Sequence, residues 1–368
     1  MARLGDICEI QSGGTPARSN CTYWDGGTIP WVKISDIKGK HLNKTEEYIT
    51  ESGLQNSSAK LFPKGTILYT IFATLGETCI LDIDAATNQA IAGLTVKSDN
   101  IYREYLYYYL FSLKSVVDNL GRGVAQNNIN MSILRNLSVP LPPLDEQRHI
   151  AVVLDKVSEL IAKRRQQLDK LDELVKSRFI EMFGVYPANP MGWEIGTIRD
   201  IVTEVRYGSS RPAVDGGKYP YLRMNNITYG GELDLSDTKR IDIPDNELDK
   251  CTVRRRDILF NRTNSKELVG KTCVYDRDEM MVLAGFVIRI RVKDRILPEF
   301  LSAFLNTDFS KQMLLGMCKT AIGQANINAQ ELQNIGLYLP PVELQQCFVQ
   351  FKKETDKSKS FDDLEEAA

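Results

Sequence analysis

Gln126-Asn127-Asn128-Ile129-Asn130 and Gln324-Ala325-Asn326-Ile327-Asn328 stand 198 residues apart, and the likeness continues without a gap. At the same spacing Leu134 matches Leu332, Asn136 matches Asn334, Leu141-Pro142-Pro143 matches Leu339-Pro340-Pro341, and Gln147 matches Gln345. A second register, 190 residues, pairs Asp25-Gly26-Gly27-Thr28-Ile29-Pro30-Trp31 with Asp215-Gly216-Gly217-Lys218-Tyr219-Pro220-Tyr221. Between these lie Gly76-Glu77-Thr78-Cys79-Ile80 against Gly270-Lys271-Thr272-Cys273-Val274, and Ala92-Gly93 against Ala284-Gly285. One matching piece arises easily by chance; four in the same order do not. The chain is read as a duplicated domain.

Each copy carries short β-branched and aromatic runs, such as Thr66–Ile71 and Phe286–Ile290, bounded by Gly or charged turns, as strands are. A helical stretch closes each copy, Tyr102–Ser112 in one and Leu297–Leu305 in the other, and the run Tyr105, Tyr107, Tyr108, Tyr109, Phe111 reads as core filling. After the first copy, Pro142-Pro143 stops the preceding structure. Asp145 and Glu146 suit the first turn of a helix. Apolar positions then step by three and four through Ile150, Val153, Val157, Leu160, Leu168, Leu171, Val175 and Met182, with Arg164 in one expected apolar slot. Such a helix, about 145–183, would be on the order of 55 to 60 Å long, and Gly184 with Pro187 and Pro190 ends it. Its stripe wants a partner helix. Pro340-Pro341-Val342-Glu343-Leu344-Gln345 opens one, which fades after Lys352 and is expected to be short.

The expected fold is therefore α+β: two repeated mixed, mainly β domains separated by long helices that pack as an antiparallel coiled coil. The expected boundaries are 1–141 and 185–339 for the domains, 142–184 for the central helix and 340–368 for the C-terminal helix.

At 368 residues the chain has room for two cores, with 43% hydrophobic and 26% charged residues. Lys plus Arg is 46, Asp plus Glu 48, and the net charge is −2, which excludes a uniformly basic nucleic-acid binder but not local basic faces. No apolar run reaches membrane-spanning length, and the N-terminus has no export signal. The seven cysteines are scattered without a C-x-x-C, as thiols in a reducing cytosol would be, and the only histidines are His41 and His149. No metal, no cofactor and no catalytic residue is expected. Neither a G-x-x-x-x-G-K-[ST] loop nor a G-x-S-x-G is present, and no N-P-P-[YF] or D-P-P-Y tetrapeptide stands ready for a flipped adenine.

Two globular copies on a rigid spacer suit an extended ligand met at two patches, and duplex DNA, with half-sites ~34 Å apart, has that geometry. The pattern resembles the specificity subunit of type I restriction–modification systems. The residues that carry the resemblance are Leu4-Gly5-Asp6-Ile7, Ser12-Gly13-Gly14-Thr15-Pro16, Ile29-Pro30-Trp31-Val32 and Leu137-Ser138-Val139-Pro140-Leu141-Pro142-Pro143-Leu144-Asp145-Glu146-Gln147, echoed by Ile335–Pro341. The chain departs from the family pattern in two respects: Leu344 and Gln346 stand where the first copy has Glu146 and Arg148, and the final helix is short. The resemblance implies two domains that each read half of a split double-stranded DNA sequence. It implies helices that set the unread spacer and dock two methyltransferase subunits, with restriction/translocase subunits joining, a cytoplasmic setting, and no catalysis by the chain itself.

Candidate DNA contacts are donors and amides in loops. In the first copy these are Ser12, Gly13, Gly14 and Thr15, whose backbone N–H groups are expected near a phosphate (or form an ordinary Gly turn), with Lys33, Arg122, Gln126 and Asn127. In the second they are Arg206, Ser209, Arg211, Arg223, Asn225, Arg262, Asn264, Lys319 and Gln324. Arg254-Arg255-Arg256 is the most basic triplet, read equally as a solvated turn. Two alternatives stay open: a stand-alone tandem DNA-binding regulator, and a nuclease using carboxylates such as Asp82 and Asp84.

Overall fold

The computed structural model describes residues 1–114, 129–318 and 325–359. The chain divides into two compact units, Met1–Lys163 and Arg164 onward, so the boundary falls inside the long helix, Leu144–Phe183.

In the first unit a five-stranded sheet runs in the order 8–12, 91–96, 67–70, 78–81, 41–42, and a four-stranded sheet in the order 47–49, 29–32, 85–87, 61–62. In the second unit, strands 202–207, 287–292, 258–261, 272–274 repeat the first four strands of the larger sheet, without a described counterpart of 41–42, and strands 239–241, 219–222, 281–283, 252–253 repeat the smaller one. Details repeat too. Strand 29–32 lies parallel to 85–87, and 219–222 parallel to 281–283. Each unit is closed by its first strand pairing antiparallel with the strand before the Pro-Pro: Ala2 with Val139, and Gly196 with Leu337. The fold is mixed α+β, and the duplication is real at the level of hydrogen-bond register.

One sequence match shifts. The amide of Asn88 donates to Val32 O and that of Ala284 to Leu222 O, so Ala284-Gly285 corresponds to Asn88-Gln89, and Ala92 to Ile288. Small residues at different points of the two strands produced the false register.

Why the repeated phrase ends in Gln is plain. Gln147 is fully buried; its Oε1 accepts from Tyr102 N (2.8 Å) and its Nε2 donates to Asn100 O (2.9 Å) and Pro142 O (2.8 Å). Gln345, equally buried, accepts from Leu297 N (2.8 Å) and donates to Arg295 O (3.1 Å) and Pro340 O (2.8 Å). One amide side chain thus satisfies three backbone groups that burial would otherwise leave unpaired. It ties the head of each helix to the start of the helix that closes the domain, Arg103–Ser112 or Pro298–Leu305.

The long helix differs from its expected stripe. Near its start the buried positions are Gln147 and Ala151, Ile150 is half-buried, and Asp155 meets Tyr108 Oη (2.6 Å) and Lys40. Val153, Val157 and Leu160 are 43, 45 and 65% exposed, because the helix meets its domain through another face. In the second unit Val175 and Met182 of the expected stripe do pack against the core, and Phe179 and Phe183, which the stepping pattern passed over, are the fully buried members of the seam. These two rings pack on Phe300 and Phe348 with ring centroids 4.9 to 5.8 Å apart. The C-terminal helix, Val342–Lys357, runs antiparallel to this half: Phe348 lies by Phe179, while Arg164, the polar interruption of the stripe, donates to Ser358 O (3.3 Å) and Lys359 O (3.0 Å). A cation on the last carbonyls of a helix is a favourable cap. Gly184, at φ +80°, ends the long helix.

Tyr105 and Tyr107 are core residues as expected, but Phe111 is 47% exposed. Burial pushes the thiols of Cys8, Cys79 and Cys273 up to about 12, so they are inert apolar fillers. No described helix is long and apolar enough to cross a membrane, and no described group of three His, Cys, Asp or Glu side chains is placed to hold a metal.

Gln345→Ala should destabilise the second unit by about 2 kcal/mol, since three buried backbone partners are orphaned, whereas Gln346→Ala, an exposed neighbour, should change stability by less than about 0.5 kcal/mol. Urea unfolding of both variants measures the difference.

Candidate nucleic-acid interface

In each domain the two sheets meet where the strand after the first short helix ends. Gly13 N donates to Ile91 O (3.0 Å) and Gly14 N to Thr87 O (2.9 Å); Gly208 N donates to Val287 O (3.3 Å) and Ser209 N to Leu283 O (2.6 Å). A Cβ on Gly13 would lie 2.0 Å from Thr87 Oγ1, and one on Gly208 2.2 Å from Leu283 O. The Gly turn is therefore a packing requirement, and the amides of Gly13, Gly14 and Ser209 are spent inside the domain. All three residues are buried. Of the two readings of Ser12-Gly13-Gly14-Thr15, the amides of Gly13 and Gly14 favour the ordinary Gly turn over free phosphate donors.

Around this crossing lies one edge in each domain. In the first it carries Ser12, half-buried, with Oγ donating to Gly13 O (3.2 Å); Thr15, bonded to the exposed Gln89; and Phe72, 40% exposed. Ile129 N donates to Ile71 O (3.0 Å), so the described chain returns to this edge just after 115–128. Arg122, Gln126 and Asn127 lie outside the described residues, as do Lys319 and Gln324. Lys33 is bonded to Glu46 (3.0 Å) and Glu47 (2.9 Å). Arg18, which the sequence reading passed over, lies 3.7 Å over the Trp24 ring and reaches Glu47 (2.5 Å), and the two cations hold the Glu47 carboxyl below its ordinary range.

In the second domain the same edge is aromatic and basic. Tyr207 occupies the place of Ser12, and Arg262 that of Ile71, its amide donating to Phe286 O and its carbonyl accepting from Ile327 N. The Arg262 guanidinium lies 4.7 Å over the Tyr207 ring and donates to Asn326 Oδ1 (3.0 Å). Tyr207 Oη accepts from Ala329 N (2.8 Å), and Phe286 is 55% exposed beside them. Asn264 pairs with Ala325 in the short ribbon that leads to 319–324.

The other sequence candidates differ in one way. Arg206 is paired with Glu204 (2.5 Å), Arg211 with Glu247 (2.7 Å) and Arg223, the counterpart of Lys33, with Asp237 (2.8 Å). Asn225 is exposed. Exposed pairs of this kind are worth at most about 1 kcal/mol, so an incoming phosphate competes for them readily. Arg262 has no carboxylate partner among the described residues.

A further contrast was missed, although the repeat displayed it. At Gly76-Glu77 the first domain pairs Glu77 with Lys114 (2.5 Å). At the matching Gly270-Lys271 the second has two lysines: Lys271 donating to Met224 O (2.9 Å) and Lys311 to Gly270 O (2.7 Å), with the Lys311 amine 5.7 Å from the ring of the exposed Tyr229. Burial, with Lys271 nearby, pushes Lys311 down to about 8.

Residues 1–173 and 190–361 match the family described as type I restriction modification DNA specificity domain. The chain belongs to that family. Among its relatives, the MjaIX type I restriction enzyme specificity subunit of Methanocaldococcus jannaschii is 31% identical over 262 residues, which is 64% of this chain and 60% of that protein. The EcoKI specificity subunit of Escherichia coli K12 is 22% identical over 348 residues, 88% of this chain and 74% of that one. In fold, the family member is similar to the type I restriction–modification S subunit from M. genitalium (TM-score 0.50, 15% identity, 97% of this chain and 89% of that one). It is also similar to a chain from a structure of type I system assembly and conformational transition (TM-score 0.55, 18% identity, 97% and 93%).

Two predictions follow from the geometry of this edge. Gly13→Ala should cost about 1–3 kcal/mol or more from overpacking against backbone, while Gly39→Ala, with open space around it, should be neutral to within about 0.5 kcal/mol; denaturation midpoints decide. Lys311 loses its proton near pH 8 when folded and near 10.5 when unfolded. The unfolded state therefore holds more protons in that window, and stability should rise with pH across it. The rise should be smaller in Lys311→Met, measured as the difference between the two stability–pH curves.

Proposed function

We propose that this chain is the DNA-reading subunit of a type I restriction–modification assembly. Each domain presents its sheet-crossing edge to one half of a bipartite duplex target, and the helices carry two methyltransferase subunits, with restriction/translocase subunits joining that core in the cytoplasm. The chain performs no chemistry of its own; the partners methylate and cut.

The observation that carries this reading is the contrast between two edges on one frame. Backbone hydrogen bonds at Gly13/Gly208, Ile71/Arg262 and Ile129/Ile327 superpose in pattern. The side chains set upon them do not: Ser12 against Tyr207, Ile71 against Arg262, Glu77–Lys114 against Lys271 and Lys311. A frame that holds position while its donors change is what two readers of different half-sites require, since bases are told apart by the donors and acceptors offered to them. In the second domain Arg262, stacked on Tyr207 and free of any described carboxylate, is the foremost base or phosphate contact. Arg206, Arg211, Arg223, Asn225 and Asn264 surround it, with Lys319 and Gln324 as further candidates. In the first, Ser12, Thr15, Arg122, Gln126 and Asn127 are the counterparts, with Lys33 as a flanking contact.

Exchanging residues 191–335 for those of another specificity subunit should change one half of the methylated sequence and leave the other intact, as read by mapping methylated sites in cells carrying the complete system. Arg262→Ala should relax discrimination in that same half by about 1–3 kcal/mol. A change in both halves, or cleavage of plasmid by the pure chain with Mg²⁺, would refute the assignment.

A further inference from the structure

The first sheet of the second domain has two ends. Tyr207, Arg262 and Phe286 stand at one. At the other, the turn Arg254–Asp257 and the start of helix Pro298–Leu305 enclose a cleft of about 370 Å³. Its walls carry Arg254, Arg255, Arg256, Arg291 and Lys293, against Asp257 and Asp294.

The first domain supplies an internal control for this cleft. Gly65 N donates to Leu81 O (2.7 Å) and Thr66 N to Pro63 O (3.1 Å); Arg256 N donates to Tyr275 O (2.8 Å) and Asp257 N to Arg254 O (3.0 Å). The turn is the same, and both residues at its corner are left-handed, with φ +92° at Gly65 and +74° at Arg256. Glycine adopts that conformation without strain; arginine does not. Strain of this kind, held in place by its surroundings, is a pointer to function.

The surroundings are built for charge. Asp257, 2% exposed, takes both Nε (2.7 Å) and Nη2 (3.1 Å) of Arg291, and Glu204 accepts from Arg291 (2.7 Å) and from Arg289 (2.9 Å), itself 2% exposed. The first domain has only a Thr66–Thr95 hydroxyl contact (3.1 Å) at the Asp257–Arg291 position and Gly93 at that of Arg289. The buried network absorbs Arg291 together with Asp257 and Glu204, so the charge of the rim is carried by Arg254, Arg255, Arg256 and Lys293. Arg254 has no side-chain partner among the described residues, and Arg256 is ion-paired with Glu299 at 3.5 Å. Arg255 is paired with Asp278 (2.9 Å) out in solvent, and Lys293 donates to Asp200 O (2.8 Å). A cleft with this excess of planar, multidentate donors fits a tetrahedral oxyanion.

We propose that this cleft is a phosphate-binding site, separate from the reading edge, and that it holds a backbone phosphate of the duplex outside the bases being read. The choice of DNA as the source of the phosphate rests on the function proposed above; the phosphate chemistry itself does not.

The test uses the full chain and the double variant Arg254→Ala, Arg256→Gly. The second change restores the residue type that the first domain has at this corner, so folding is kept. Inorganic phosphate, compared with chloride at equal ionic strength, should raise the unfolding midpoint of the wild type and not of the variant. On a duplex of scrambled sequence, the slope of log affinity against log salt should shrink by about one in the variant. A phosphate response lost in the variant, with an unchanged slope, supports the site but overturns duplex DNA as its source. No phosphate response and an unchanged slope overturn the proposal outright. Arg262→Ala keeps the two readings apart: discrimination that survives in it counts against the proposed function, while its phosphate response bears only on the cleft.

Discussion

Two sheets cross in each domain at a point where no side chain fits. Gly13 and Gly208 lie so close to the carbonyls of 87–88 and 283–284 that a single methyl group would collide with them. That steric limit fixes where the strand turns, and with it the positions of the turns after Thr70 and Asn261 that share the edge. The amides there are consumed by the fold, so whatever the edge offers a ligand must come from side chains on either side of the crossing.

Those side chains follow a different logic in the two domains. Among the described residues the first edge is nearly neutral, with small hydroxyls, an exposed phenylalanine and a Glu77–Lys114 pair. The second stacks an arginine on a tyrosine and sets two lysines beneath, one of them deprived of part of its affinity for a proton by burial. Keeping a lysine amine in a site that disfavours its charge costs stability.

Much of this was legible in the sequence, for a physical reason. Backbone geometry demands particular residues at particular offsets, so Gly27/Gly217, Pro142-Pro143/Pro340-Pro341 and Gln147/Gln345 announced the duplicated fold before any coordinates did. The start and end of the long helix followed from Pro, acidic residues and Gly in the same way. What sequence could not resolve was which of several apolar rows a helix buries. Val153, Val157 and Leu160 step as well as Phe179 and Phe183 do, and only the domain surface decides between them. Nor could it separate Ser209, whose amide is locked into the crossing, from Arg262, whose head is available. Both are polar residues in turns. The Glu77/Lys271 reversal was visible in the aligned repeats but meant little until Lys114 and Lys311 were brought beside it.

Gln147 and Gln345 grip nothing but main chain: two carbonyls and one amide each. Such a joint is indifferent to the side chains of the domain it holds. Side chains elsewhere in each domain are therefore free to change without loosening it, while the head of each helix stays pinned to the backbone it follows.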